Sequence, residues 1–296
     1  METMEAAFEL NILRSVPTPQ PMSLREAIDY ALTCRGSGVR QALAGAVGRA
    51  CGMRAADADA LAGAIESFHH ASLILDDLPC MDDAVERRGR ACLHRAAGED
   101  QAILAALALI NQGYTECWRV AVNYPLRTGM AAKLVAACMG ERGILDGQSR
   151  DLHYAPGCGA AEVRTIAVQK TGMLLKLALV LPAVMGGASR STLLELSRLA
   201  KVWGRLYQGI DDFSDLLLSG ESTGKTAFRD LSQARPNLVV ALGLKPASVE
   251  LATLEERAGM LCEAFAQQGE VWSMLQQFHA QLGEKTARIR VAMEAA

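Results

Sequence analysis

The chain has 296 residues, half of them hydrophobic, with 33 acidic against 30 basic side chains and a formal charge of −3. That length can bury a large core in one or two domains, and the balance of charge leaves no overall basic surface, which argues against a nucleic-acid partner. Eight cysteines are scattered singly, with no C-x-x-C pair and no Cys/His spacing of a zinc site, as expected of reduced thiols in a cytoplasmic protein. The first residues, Met1-Glu2-Thr3-Met4-Glu5, lack the basic segment and apolar stretch of a secretion signal. The longest apolar runs, Ala102 to Ile110 and Leu177 to Met185, fall short of the ~20 residues that cross a bilayer, so no transmembrane segment is expected.

Pro17, Pro19 and Pro21 remove backbone donors and bias their predecessors away from helix, so residues 1–22 are expected to form an extended arm. Ser23-Leu24-Arg25-Glu26 then reads as a capping box that opens the first helix and a single domain over 23–296. From there the chain is rich in strong helix formers, with apolar residues at helical spacing, for example Leu61, Ile65, Phe68, Ser72 and Leu75. Breaks are predicted at Gly36-Ser37-Gly38, Pro79, Tyr124-Pro125, Pro156-Gly157, Gly186-Gly187, Ser219-Gly220 and Pro246. No alternating pattern persists long enough for a sheet, and the expected fold is all-α, a single-domain bundle of about ten or more helices.

Two acidic clusters interrupt the apolar helices. Asp76-Asp77-Leu78-Pro79-Cys80-Met81-Asp82-Asp83 crowds four acids at the end of a helix that Pro79 should terminate, where the helix dipole is already negative. Asp211-Asp212-Phe213-Ser214-Asp215 lies inside the apolar stretch from Val202 to Leu218; Asp211 and Asp215 share a helix face, with Gln208 three residues before Asp211. Either cluster alone reads equally well as an exposed turn or helix end. Neither has the ligand order of a calcium loop, and buried carboxylates need a cation, for which Mg²⁺ is the hard partner that suits oxygen ligands.

Cations follow the acids. Arg87-Arg88-Gly89-Arg90 comes after the first cluster, Lys170-Thr171-Gly172 interrupts a helix, and Lys225 comes after the second cluster. Acids alternating with Arg and Lys, aimed at one cavity, can hold Mg²⁺ and a diphosphate together. His69 stands two helical turns before Asp76 and reads as a further phosphate contact.

With these residues in place, the stretch from about Glu26 to Leu244 resembles the trans-isoprenyl diphosphate synthases, the bacterial geranylgeranyl diphosphate synthases most of all. Residues 66–94 are similar to the family's first aspartate-rich region, in the form with four residues between the Asp pair and the next Asp. Gly140 to Leu152, Lys170-Thr171-Gly172 and Tyr207 to Asp215, the last similar to the second aspartate-rich motif, keep the family's order and spacing. The resemblance implies an isoprenoid-synthase bundle around a central cavity, forming a homodimer, that condenses isopentenyl diphosphate with an allylic diphosphate. By that resemblance Asp76, Asp77, Asp82, Asp211 and Asp215 would serve Mg²⁺, about three ions per active site. Arg87, Lys170 and Lys225 would bind the allylic diphosphate, Arg40, His69 and Arg88 the isopentenyl diphosphate, and Gln208 and Thr171 would face the allylic carbons.

The chain departs from the family at Gly36-Ser37-Gly38-Val39-Arg40-Gln41, where G-K-R-x-R-P is usual; the Lys and the first Arg are missing, and Arg35 is the nearby cation that could replace one of them. Ala71 and Ser72, five and four residues before Asp76, are small, as in geranylgeranyl-forming relatives, with Phe68 one turn earlier as a candidate floor. The expected product is therefore C20, with C15 as the alternative. A terpene cyclase is disfavoured because the second cluster is an Asp triad, and a non-catalytic subunit is disfavoured because both clusters are complete.

Overall fold

The computed structural model describes residues 21–33, 36–155, 157–217 and 235–295. Most of the expected arm, together with Arg35, Lys225 and the break at Ser219-Gly220, lies outside the described residues. Apart from one two-stranded ribbon, every regular element among the described residues is helical. Contacts divide the chain into two compact units, one holding residues up to Arg35 and Phe68–Asn111, the other Gly36–Ser67 and Gln112–Ala296. The division falls within two long helices, α3 (Ala55–Asp76) and α5 (Glu99–Ala121).

In the first unit, α1 (Leu24–Thr33) opens on the expected capping box. The Ser23 backbone N–H donates to Glu26 Oε2 at 2.8 Å, and the Glu26 N–H donates to Ser23 Oγ at 3.3 Å. Ala27 and Ala31 of α1 join Ala71 and Ile74 of α3 and Ala102, Ala105, Ala106 and Leu109 of α5 in one apolar cluster, small side chains letting the backbones close up. Pro79 has no N–H to offer the Leu75 carbonyl, so the Leu78 N–H takes it in a tighter turn and α3 stops at Asp76. The chain then folds back to cap the exposed helix end: Asp82 N–H donates to the Asp76 carbonyl at 2.9 Å and Ala84 N–H to the Asp77 carbonyl at 3.2 Å. The hairpin of β1 (Glu86–Arg87) and β2 (Arg90–Ala91) follows, and α4 (Leu93–Ala97) leads into α5. Its two-residue turn, Arg88 at φ 55° and Gly89 at φ 75°, has the paired positive φ of a type I′ turn, matching the right-handed twist of the strands.

The second unit holds α2 (Val39–Ala50), α6 (Thr128–Met139), α7 (Ile144–Leu152), α8 (Ala160–Ala167), α9 (Met173–Gly186), α10 (Arg190–Leu217), α11 (Leu238–Leu242), α12 (Leu244–Ala266) and α13 (Ser273–Ala295). Helices α8 and α9 are one continuous rod joined by a π-turn over Val168–Gly172. The sequence reading splits this run at Lys170-Thr171-Gly172; the widened turn instead carries the helix through. The rod Ala160–Gly186 therefore has the length and mean hydropathy (1.4) of a membrane span, contrary to the run-length expectation, yet 67% of its most apolar window is buried within the protein. Packing by α2, α6 and α10 against α9, whose one charged residue is Lys176, accounts for that hydropathy. Trp203 of α10 meets Phe278 of α13 edge to face at 4.7 Å. The predicted break at Pro246 is corrected: the helix α12 starts at Leu244, after Gly243 (φ 84°), and Pro246 sits in its first turn, where a missing N–H costs nothing.

Candidate active site

In the first unit, the compensating charge that a crowd of acids at a helix end demands is Arg87. Its Nε donates to Asp77 Oδ2 at 2.8 Å and its Nη2 to Asp77 Oδ1 at 2.7 Å, a bidentate pair in which Asp77 is only 5% exposed. Burial works against the Arg87 charge, but the hydrogen bonds and negative charge of Asp77, with Asp76 beyond, outweigh it and push the guanidinium pKa further up. Asp77 is thus bound to a cation of the protein, whereas Asp76 and Asp82 are half-buried and Asp83 is exposed. The hairpin that carries Arg87 is anchored from α1: Tyr30 Oη donates to the Ala91 carbonyl at 2.8 Å, and the Arg90 guanidinium lies 4.2 Å from the centre of the Tyr30 ring. Arg88 is exposed at the hairpin tip. On α3, His69 is half-buried, Phe68 and Ala71 are fully buried, and Ser72 Oγ donates back to the His69 carbonyl at 2.8 Å.

In the second unit, the π-turn brings several of the predicted residues together. Lys170 Nζ donates to Asp151 Oδ2 at 2.7 Å, and Arg235 Nη1 stands 3.8 Å from the same oxygen. One residue on, Thr171 Oγ1 donates to Gln208 Oε1 at 3.0 Å. The approach of α10 to this turn depends on two glycines, because a Cβ built on Gly204 would lie 2.5 Å from Gly172 Cα. Asp211 and Asp215 are half-buried in the last turns of α10, as the four-residue spacing predicts. Gln208, however, pairs with Asp212, its i+4 neighbour, rather than with Asp211: Gln208 Nε2 donates to Asp212 Oδ1 at 3.0 Å. Arg40 is half-buried on α2, just past the left-handed Gly38 (φ 60°), and Ser37 is exposed.

Sequence reasoning assigned no role to Asp151, Asp212 or Asn237, all buried; Asp151 bonds Lys170, Asp212 bonds Gln208, and Asn237 bonds Asp212. Little in the sequence marked them: Asp151, for example, lies in a mainly polar helix, α7, and only the folded packing buries it and gives it a cation. Half-buried Asp76, Asp82, Asp211 and Asp215 are hard oxygen donors of the kind Mg²⁺ takes. Among the described residues no three His, Cys, Asp or Glu side chains are grouped closely enough to cage an ion by themselves. That donor set fits a small cation held through one or two carboxylates, water and the phosphate oxygens of a substrate.

A sequence model of the family described as "Polyprenyl synthetase" matches residues 21–277. Geranylgeranyl pyrophosphate synthase 11, chloroplastic, of Arabidopsis thaliana is 36% identical over 250 residues, 82% of this chain and 69% of that protein. Geranylgeranyl pyrophosphate synthase, chloroplastic, of Capsicum annuum is 34% identical over 267 residues, 88% of this chain and 72% of that protein. The fold is shared with geranyltransferase from Helicobacter pylori, solved with magnesium and isoprenyl diphosphate, at a TM-score of 0.76 and 24% identity over 92% of each chain. Motifs, relatives and fold agree: the chain belongs to the polyprenyl synthetase family of prenyltransferases.

Proposed function

We propose that this prenyltransferase condenses isopentenyl diphosphate with allylic diphosphates and releases mainly the C20 product, geranylgeranyl diphosphate. The observation that carries the reading is the π-turn, which sets Lys170 and Thr171 side by side, Lys170 on Asp151 and Thr171 on Gln208, one helical turn from Asp211. In this reading Lys170, Arg87 and Lys225 bind the allylic diphosphate, Arg40, His69 and Arg88 bind the isopentenyl diphosphate, and Asp76, Asp82, Asp211 and Asp215 hold Mg²⁺, about three ions per site, while Asp77, expected from the sequence to be a further ligand, holds the Arg87 guanidinium instead. Bound Mg²⁺ would supply neutralisation of the departing diphosphate. The cations hold that leaving group more tightly as its charge develops than before, which is what accelerates C–O cleavage. The isopentenyl double bond attacks the allylic carbon, and a proton lost to the departed diphosphate restores an alkene.

Homodimerisation and a cytoplasmic location belong to the same proposal. The first is supported by Ile103, Leu107 and Trp118, exposed at helical spacing along α5. The second is supported by the cysteines among the described residues that stand as free thiols, as a reducing compartment keeps them. The chloroplastic address is that of the plant relatives.

Incubation of the purified chain with isopentenyl diphosphate and each of the C5, C10 and C15 allylic diphosphates, followed by chromatography, tests the reaction and the product together. Products that stop at C15 would replace the C20 assignment, and no chain growth would end the proposal. Ala71→Tyr sharpens the test. Ala71 is 1% exposed within the apolar cluster of the first unit, so a phenol there must either occupy space the growing prenyl chain uses or overpack the core. The expected result is a main product shortened from C20 to C15 or C10 with the first condensation little changed. An unchanged C20 product, together with a lower melting temperature, would place the chain-length determinant elsewhere.

Ser37→Lys is expected to lower KM for isopentenyl diphosphate about 10-fold, the equivalent of one charge-assisted contact near 1.5 kcal/mol, with the allylic KM unmoved. Ser37 is exposed, so the substitution adds a cation without disturbing packing. If neither KM moves, another residue already supplies the charge.

A further inference from the structure

The second acidic cluster contains one carboxylate that the metal reading leaves unused. Asp212 is 1% exposed, and its two oxygens accept from different parts of the second unit: Oδ1 from Gln208 Nε2 at 3.0 Å and Oδ2 from the Leu238 backbone N–H at 2.8 Å. Asn237, 2% exposed, closes the arrangement, its Nδ2 donating to the Asp212 carbonyl at 3.2 Å while its Oδ1 caps α11 by accepting from the Val239 and Val240 N–H groups. An ionised carboxylate accepts and never donates. The Gln208 amide must therefore turn its NH₂ toward Asp212 and its oxygen toward Thr171, and the Thr171 hydroxyl must spend its hydrogen on that oxygen, as observed at 3.0 Å.

We propose that Asp212 is a positioning residue, which fixes the donor and acceptor order of the Thr171–Gln208 pair and thereby the polarity that the pair presents to the allylic carbons. This rests on the proposed function, which places Thr171 and Gln208 there. The polarity matters because an oxygen lone pair stabilises a developing allylic cation and an N–H opposes it.

Asp212→Asn replaces one acceptor oxygen by a donor and so reverses that order. The buried Leu238 N–H requires the one remaining oxygen of the new side chain, so its NH₂ faces Gln208. Gln208 then flips, and its NH₂ points at Thr171. The expected result is a melting temperature within about 3 °C of the parent's, kcat reduced about 10- to 100-fold and both KM values within about threefold. Adding Gln208→Glu restores an acceptor toward Thr171 and conserves net charge, so the double variant should recover at least part of the lost kcat.

A readout independent of activity separates this proposal from the functional one. In protein labelled with ¹⁵N-glutamine, the Gln208 side-chain NH₂ signals, assigned by their loss in Gln208→Glu, should shift in Asp212→Asn. If the parent chain makes no product but the signals shift, the functional reading fails and the orienting role of Asp212 stands. Unshifted signals would overturn the proposal, as would parental kcat in Asp212→Asn. A loss of kcat that tracks a large fall in melting temperature, unrescued by the double variant, would make Asp212 merely structural and overturn it too.

Discussion

Asp76→Ala and Asp211→Ala are each expected to lower turnover about 10³-fold or more while leaving the helical fold intact. Removing one group that stabilises transition-state charge costs about 10²–10³-fold in rate, and a carboxylate that holds a metal costs that group and the metal's share together. Stability should respond much less. Asp76 is the last residue of α3, where the helix dipole and Asp77 repel its charge but Arg87 attracts it, so its removal trades terms of about 0.3–1 kcal/mol against one another. Circular dichroism should give an unchanged spectrum and a melting temperature close to the parent's. Near-parental turnover in either variant, with sensitivity to chelators unchanged, would sink the assignment of that carboxylate to metal.

Gly204→Ala should damage both stability and rate, although alanine is the better helix former. A Cβ at this position would lie 2.5 Å from Gly172 Cα and 2.9 Å from Gly172 N, backbone atoms that cannot rotate away. The π-turn and α10 must then separate. Overpacking of this kind costs about 1–3 kcal/mol, more than the ~1 kcal/mol gained in helix propensity. One turn on, the separation stretches the 3.0 Å bond between Thr171 and Gln208, and a displacement near 1 Å at a reacting centre costs about 10²-fold. Gly63→Ala provides the control, because a Cβ there meets nothing within 4 Å and should stabilise by up to ~1 kcal/mol. Should the two alanine variants melt and turn over alike, the close approach of α10 to the π-turn is not what holds the pair.

What was legible in the sequence was mostly local. The capping box at Ser23, the end of α3 at Pro79 and the helical face of Asp211 and Asp215 each follow from residues within one or two turns of one another, and each appears in the structure as expected. Pro246 is ambiguous in sequence because a proline breaks a helix interior but is at home in a first turn, where the structure places it. In Arg88-Gly89 the charge is the plain signal, but a glycine at the second position is also the mark of a tight hairpin. The pairing of Lys170 with Asp151 and the clasp of Asp212 on Leu238 join residues 19 and 26 positions apart, and only the folded packing of α7, α10 and the segment before α11 decides them. Lys225 lies outside the described residues, so its place beside these groups rests on the resemblance.

The π-turn at Val168–Gly172 has a consequence for how this chain tolerates changes of length. A π-turn holds one residue more than an α-turn, so deleting a residue there would let the rod run as unbroken α-helix with its two halves still joined. The wide turn already takes up the extra residue within a single turn, so the deletion would leave the two halves close to their present phase, with Arg164, whose Nη2 donates to Glu250 of α12 at 2.6 Å, still facing its partner and Leu177 and Leu181 still in the core. What would go is the bulge itself, which carries Lys170 to Asp151 and Thr171 to Gln208. The turn is therefore a point at which the rod can absorb a one-residue change of length without repacking its ends, and a single-residue gap in this stretch would mark relatives that keep the rod and lose the bulge.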